Sequence, residues 1–185
     1  MLEKKNFAVN SKIDLGDGII NGQGVGQISK CRYGLFPASF NACEMIATYN
    51  LLKLNGYEGH KFAEICLEMY PKTWALWGLL GSNVNHLFLY FKNHNIKYKI
   101  FFMKRDKLFE DLSNSKYGMI SFWNRNNPFK GIHTVCVEKN DDGYRVYNRY
   151  NSKDYPYDYK TIDEVVSKRR FLVGYTIEKA EKGEH

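Results

Sequence analysis

Three side chains far apart along the chain have the types that nucleophilic amide chemistry requires: Cys43, His133 and Asn148. Cys43 lies in the stretch SFNACEMIATYNLLKLNG, residues 39–56, where a helical pattern begins. With Asn41 as the N-cap, the cysteine falls in the first helical turn, and Glu44 three residues on makes a capping box. A sulfur placed there meets unpaired backbone N–H groups and the positive end of the helix dipole, which favour thiolate over thiol. A neighbouring imidazolium adds to that stabilisation. His133 is the candidate, because it opens the predicted strand GIHTVCVEK. Asn148 follows near the end of the partner strand YRVYNRY, joined to the first by the hairpin signal NDDG. In that hairpin Asn148 accepts a hydrogen bond from one ring nitrogen and leaves the other facing sulfur. The expected set is a nucleophile, a base and a group that orients the base.

The other titratable residues read differently. His60, His86 and His94 fall on helices or their ends among lysines and asparagines, as surface or capping residues do. Cys66 shares an apolar helical stripe with Phe62, Ile65 and Met69, and Cys136 alternates with Val135 and Val137 in a strand, so both read as core. Cys31, in SKCRYG, has no assigned role. No CxxC pair is present, so the spacing gives no zinc site, and the thiol chemistry above needs no metal or organic cofactor.

These residues must be positioned by the elements around them. Residues 1–30, rich in glycine and polar groups, read as an arm with a short strand, and 180–185 as a tail. Residues 31–179 read as one domain. Helical periodicity predicts a helix from Asn41 to the stop at Gly56, a second over EGHKFAEICLEMY and a third over NVNHLFLYFKNHN. TWALWGLLGS reads as a loop wall, with Trp74, Trp77, Phe122 and Trp123 as core or cleft wall. Strands follow at KYKIFFM, YGMISFW, GIHTVCVEK, YRVYNRY and FLVGYTIEK, with TIDEVVSKR a short helix capped by its threonine. Helices first and antiparallel strands second predict an α+β fold: an N-terminal helical layer packed on a C-terminal antiparallel sheet.

The order of a helix-leading cysteine, then GIHTVCVE, then YRVYNRYN resembles the papain-like cysteine peptidase superfamily. It looks most like the bacterial peptidases that cut leader peptides after a double glycine. LLGSNVNHLFLYFKNHNIKYKI also resembles that family's second helical unit, and the likeness spans residues 36–177. The resemblance implies a papain-like fold, a Cys43–His133–Asn148 triad and a peptide or protein substrate with small residues before the cut. Two positions depart from the family pattern. Pro37 stands where a glutamine usually helps form the oxyanion hole, leaving Asn41, Ser39 or Gln27 as substitutes. Glu44 stands where glycine is common, and its carboxylate raises the pKa of a neighbouring thiol unless capping turns it away. The same resemblance leaves open an acyltransferase or amidase on that triad, and a domain that binds peptides without cutting them.

The totals exclude other classes. With 185 residues and 44% hydrophobic residues the chain can bury a core of its own. The net charge of +7 comes from scattered lysines, the densest run being SKRR at 167–170, which reads as a soluble surface rather than a nucleic-acid site. No apolar run reaches the roughly 20 residues that cross a bilayer, so no membrane insertion is expected. No signal-peptide pattern is read at the start, so the expectation is a cytoplasmic protein with reduced thiols.

Overall fold

The computed structural model describes residues 2–70, 87–124 and 131–180. Trp74, Trp77, His86, the TWALWGLLGS stretch and most of WNRNNPFKG lie outside the described residues. The helices are α1 (Leu2–Asn10), α2 (Ala38–Asn41), α3 (Cys43–Leu54), α4 (Phe62–Met69), α5 (Leu87–Asn93), α6 (Arg105–Ser115) and α7 (Ile162–Val166). The strands are β1 (Arg32–Tyr33), β2 (Phe36–Pro37), β3 (Tyr98–Phe102), β4 (Tyr117–Trp123), β5 (Ile132–Asn140), β6 (Gly143–Tyr147), β7 (Tyr157–Tyr159) and β8 (Phe171–Ile177). β1 and β2 form a small hairpin; the other six make one antiparallel sheet in the order β3-β8-β4-β5-β6-β7. The fold is α+β, as expected.

The layering differs from the expectation. Along β5, Thr134, Val135, Cys136 and Val137 are all buried, with no alternation between covered and solvated positions. Such a run requires cover on both faces. Cys136 joins Met119, Tyr147 and Tyr175 in a core with Met45, Ile46 and Leu52 of α3 and Ile65 of α4. Val135 and Val137 join Ile120, Phe122 and Val146 in a second core with Leu108, Phe109 and Leu112 of α6 and Val165 of α7. The sheet is therefore the middle of three layers. The third layer comes from α6, a segment that carried no helical assignment above, and from α7.

α3 is the central element. Every residue from Cys43 to Leu52 is buried, so it has no solvated face, as expected of a helix enclosed on all sides. Its end is a Schellman turn: Tyr57 N–H donates to Leu52 O at 3.0 Å and Gly56 N–H to Lys53 O at 3.1 Å, with Gly56 at φ 84°. α7 starts as predicted, Thr161 Oγ1 accepting from Glu164 N–H at 3.2 Å while Glu164 Oε2 accepts from Thr161 N–H at 3.3 Å.

Residues 1–30 open with a helix, not a strand, and are stitched to the domain by amide side chains. Asn6 donates to Gly34 O at 2.8 Å, and Asn10 both accepts from Arg32 N–H and donates to Arg32 O. Asn50 of α3 does the same for Ile20, at 2.9 and 2.8 Å. Each pair satisfies a backbone donor and acceptor that would otherwise be stranded where the chain runs over the core. These contacts bring the arm to the start of α3.

Candidate functional site

Cys43 occupies the first position of α3, against the start of β5. The capping differs from the expectation. Ala42 is the N-cap, with φ −93° and ψ 16°, and makes no side-chain cap. Asn41 belongs to α2 instead, because the chain turns through one short helix before entering the next. Its Nδ2 donates to Tyr33 O at 3.1 Å, which commits that amide to the β1–β2 hairpin rather than to an oxyanion.

Cys43 is 8% exposed. Its thiol donates to Ile132 O at 3.8 Å, a contact only the protonated form makes. Burial, joined by the charge of Glu44, pushes the thiol up to about 11, while contacts with the main chain and hydroxyl of Thr134 pull in the opposite direction. Glu44 is itself buried, 1% exposed, and its charge acts on the thiol. At this helix start desolvation outweighs the helix dipole, since a thiolate here would lose its water. The other three cysteines are also free and buried.

His133 stands on the other side of the sheet. Side chains alternate along a strand, and Ile132 and Cys136 belong with the core against α3 while Val135 and Val137 face α6. His133 shares the parity of the valines. Its cross-strand partner is Phe122 of the second core, and the two rings meet edge-on at 5.9 Å between centroids. Thr134 takes the α3 side, where its hydroxyl is 2.9 Å from Ser121 Oγ. The group beside the sulfur is thus threonine, and the imidazole expected there points the opposite way. Burial, with the positive charges of Arg149 and Arg169, holds His133 down at about 4.

His133 and Asn148 do meet, by a different contact from the one expected. Asn148 takes φ 55°, a left-handed conformation that asparagine tolerates, and this aims its carbonyl at the ring. The imidazole Nε2 lies 3.0 Å from Asn148 O. The Asn148 side chain goes to the arm: its Oδ1 accepts from Gln23 N–H at 3.1 Å and its Nδ2 donates to Gln23 Oε1 at 3.2 Å. Gln23 Nε2 then donates to Ser39 O at 2.9 Å. The arm does deliver a glutamine to the region, but it is Gln23, 6% exposed, and Gln27 is on the surface. No periodicity marks Gln23; the glycines on either side of it, which let the backbone approach Asn151 and Lys153, are its only local signal.

Two other histidines, His60 and His94, have ordinary partners. His60 Nδ1 lies 2.8 Å from Tyr90 Oη, and His94 Nε2 lies 2.6 Å from Glu68 Oε2. Among the described residues no group of histidines, cysteines or carboxylates has the arrangement to hold a metal ion. No described helix is long and apolar enough to cross a membrane. Comparison of the chain with protein-family models and with curated proteins finds no match.

Proposed function

We propose that this chain is a papain-like α+β domain that binds a peptide segment without hydrolysing it. The observation that carries this reading is the placement of thiol and imidazole on opposite faces of β5. A cysteine nucleophile needs a base within hydrogen-bond reach, and Thr134 cannot serve as one at neutral pH. The protonated sulfur, donating to Ile132 O, fits a packing role. What favours binding is the rim before α3: Leu35 and Phe40 are 51% and 57% exposed, and the Phe36 and Phe40 rings lie 4.9 Å apart. This apolar rim borders the helix start across which the resemblance would run a substrate.

A second reading keeps the triad chemistry, as peptidase, acyltransferase or amidase, and is favoured by Cys43 opening a central helix against a mid-sheet strand. It requires the β5 entry to turn over so that His133 reaches the sulfur. Alkylation by iodoacetamide across pH separates the two. In the binding reading Cys43 reacts slowly, its rate rises only above the ordinary thiol pKa of about 8.5, and His133→Ala leaves the profile unchanged. Alkylation at neutral pH that His133→Ala abolishes, together with cleavage of a peptide library, would overturn it.

A further inference from the structure

On the α6–α7 side of the sheet, Arg149 is 5% exposed. Its Nε and Nη1 are buried and have no hydrogen-bond partner. Neither Arg149 nor Arg169 forms an ion pair among the described residues. Instead the Arg149 guanidinium stands against three rings, with Cζ 5.2 Å from the Phe122 centroid, 5.5 Å from Tyr159 and 5.9 Å from Tyr150. Arg169, half-buried, has its Cζ 5.4 Å from the same Phe122 ring. Two like charges thus gather at one phenylalanine with no carboxylate paired to either among the described residues. Arg169 is held below its ordinary value by burial and by the charge of Arg149.

Ring faces attract a guanidinium but accept none of its in-plane N–H bonds, so they leave the desolvation of Arg149 only partly offset. The Tyr159 side chain hydrogen-bonds this guanidinium, but Nε and Nη1 stay unmet, and an arginine with unmet donors belongs on a surface, where water serves them. One held in place with unmet donors and a second cation beside it has the composition of an oxoanion site. The turn at Asn148 fixes the arginine: the Asn148 carbonyl meets His133 Nε2 and its side chain is tied to Gln23, so the residue that follows enters the cluster in one orientation. Tyr150, 42% exposed, is the member that solvent reaches most freely, and its ring lies 4.7 Å from Tyr157, giving an aromatic approach to the buried donors.

We propose that Arg149, with Arg169 beside it and the Tyr150 and Tyr159 rings around it, forms a binding site for an oxoanion, the phosphate or carboxylate group of a small ligand. The site lies across the sheet from Cys43 and does not depend on the reading of the thiol. Anion binding supplies acceptors for Nε and Nη1 of Arg149 and neutralises the cation pair.

The test is thermal unfolding of the whole chain with inorganic phosphate, with acetate, and with sodium chloride at matched ionic strength. A saturable rise in Tm with phosphate or acetate beyond the chloride control is expected, and the anion with the stronger effect identifies the class. Arg149→Met should abolish that rise while leaving the anion-free protein at least as stable, because it removes an uncompensated buried charge. Arg169→Gln should weaken binding by about tenfold or more. Arg145→Gln, which breaks only the exposed pair with Asp158, should leave it unchanged. Equal Tm values in all three salts, or an anion effect that survives Arg149→Met, would overturn the assignment. If Arg149→Met does not fold, the ring-proton shifts of His133 in the unaltered protein decide: movement on adding phosphate or acetate and not chloride supports the site, and its absence rejects it.

Discussion

At the scale of single residues, burial sets the chemistry of both groups that the sequence nominates. Cys43 is kept as a thiol, and His133 as a neutral ring. The histidine gives a stability dependence whose sign follows from its depressed value of about 4 against about 6.5 in the unfolded chain. Between those limits the unfolded state takes up the proton and the folded state resists it, so stability is full above about pH 6.5 and falls as pH drops toward 4. The contribution lost is up to about 3 kcal/mol for a ring that is mostly shielded from solvent. Urea unfolding at pH 7.5 and 4.5 should show this drop, and His133→Gln should lessen it by a comparable amount. Parallel pH curves for the two proteins would mean the ring is not the group responsible. Cys43→Ala removes a small packed side chain and one weak sulfur contact, so its expected cost is about 1 kcal/mol or less, read from the same urea curves.

At the scale of elements, what was legible in the sequence divides along physical lines. α3, α4 and strands β3, β4, β5, β6 and β8 are rich in aliphatic or aromatic side chains, and such runs are legible in the sequence whether they are periodic or, as in α3 and β5, covered all round. α1 and α6 do not. α1 is held through Asn6 and Asn10, whose bonds to the β1–β2 hairpin leave no apolar stripe. α6, RDKLFEDLSNS, shows only Leu108, Phe109 and Leu112 to the core amid charges. The site was half legible for a related reason. A cysteine at a helix start and a histidine at a strand start are visible, but which face the histidine takes depends on parity, and a one-residue shift reverses it. With Thr134, Val135, Cys136 and Val137 all buried, no polar alternation reveals that parity. The arm contributes through Gln23, which joins Asn148 of the β6 exit to Ser39 of α2. Gln23→Ala strands the amide of Asn148 and the carbonyl of Ser39, with an expected cost of about 1–3 kcal/mol. Limited proteolysis should then cut faster within residues 11–26; an unchanged digestion pattern would show that the asparagine contacts alone hold the arm. Thr161→Ala removes the α7 cap at an expected cost of about 1 kcal/mol in urea unfolding.

At the scale of the whole molecule, the question is whether two cores make two folding units. They share one sheet: β4, β5 and β8 each send alternate side chains to either face, so neither core can lose its backing strands without exposing the other. Gly174 shows how closely the layers meet, since a Cβ there would run into the Leu108 side chain of α6 and the Met119 carbonyl of β4. Ile46→Ala in the α3 core and Leu108→Ala under α6 should each cost about 2–5 kcal/mol, both side chains being fully buried. Because the two side chains belong to different cores on opposite faces of the sheet, the double variant should lose about the sum, within about 0.5 kcal/mol. Near-ultraviolet and far-ultraviolet circular dichroism should report a single urea transition in every variant, shifted together. Should Leu108→Ala lower one transition and leave a second in place, the α6–α7 layer would be a separable unit, and the pH dependence assigned to His133 would then belong to that unit alone.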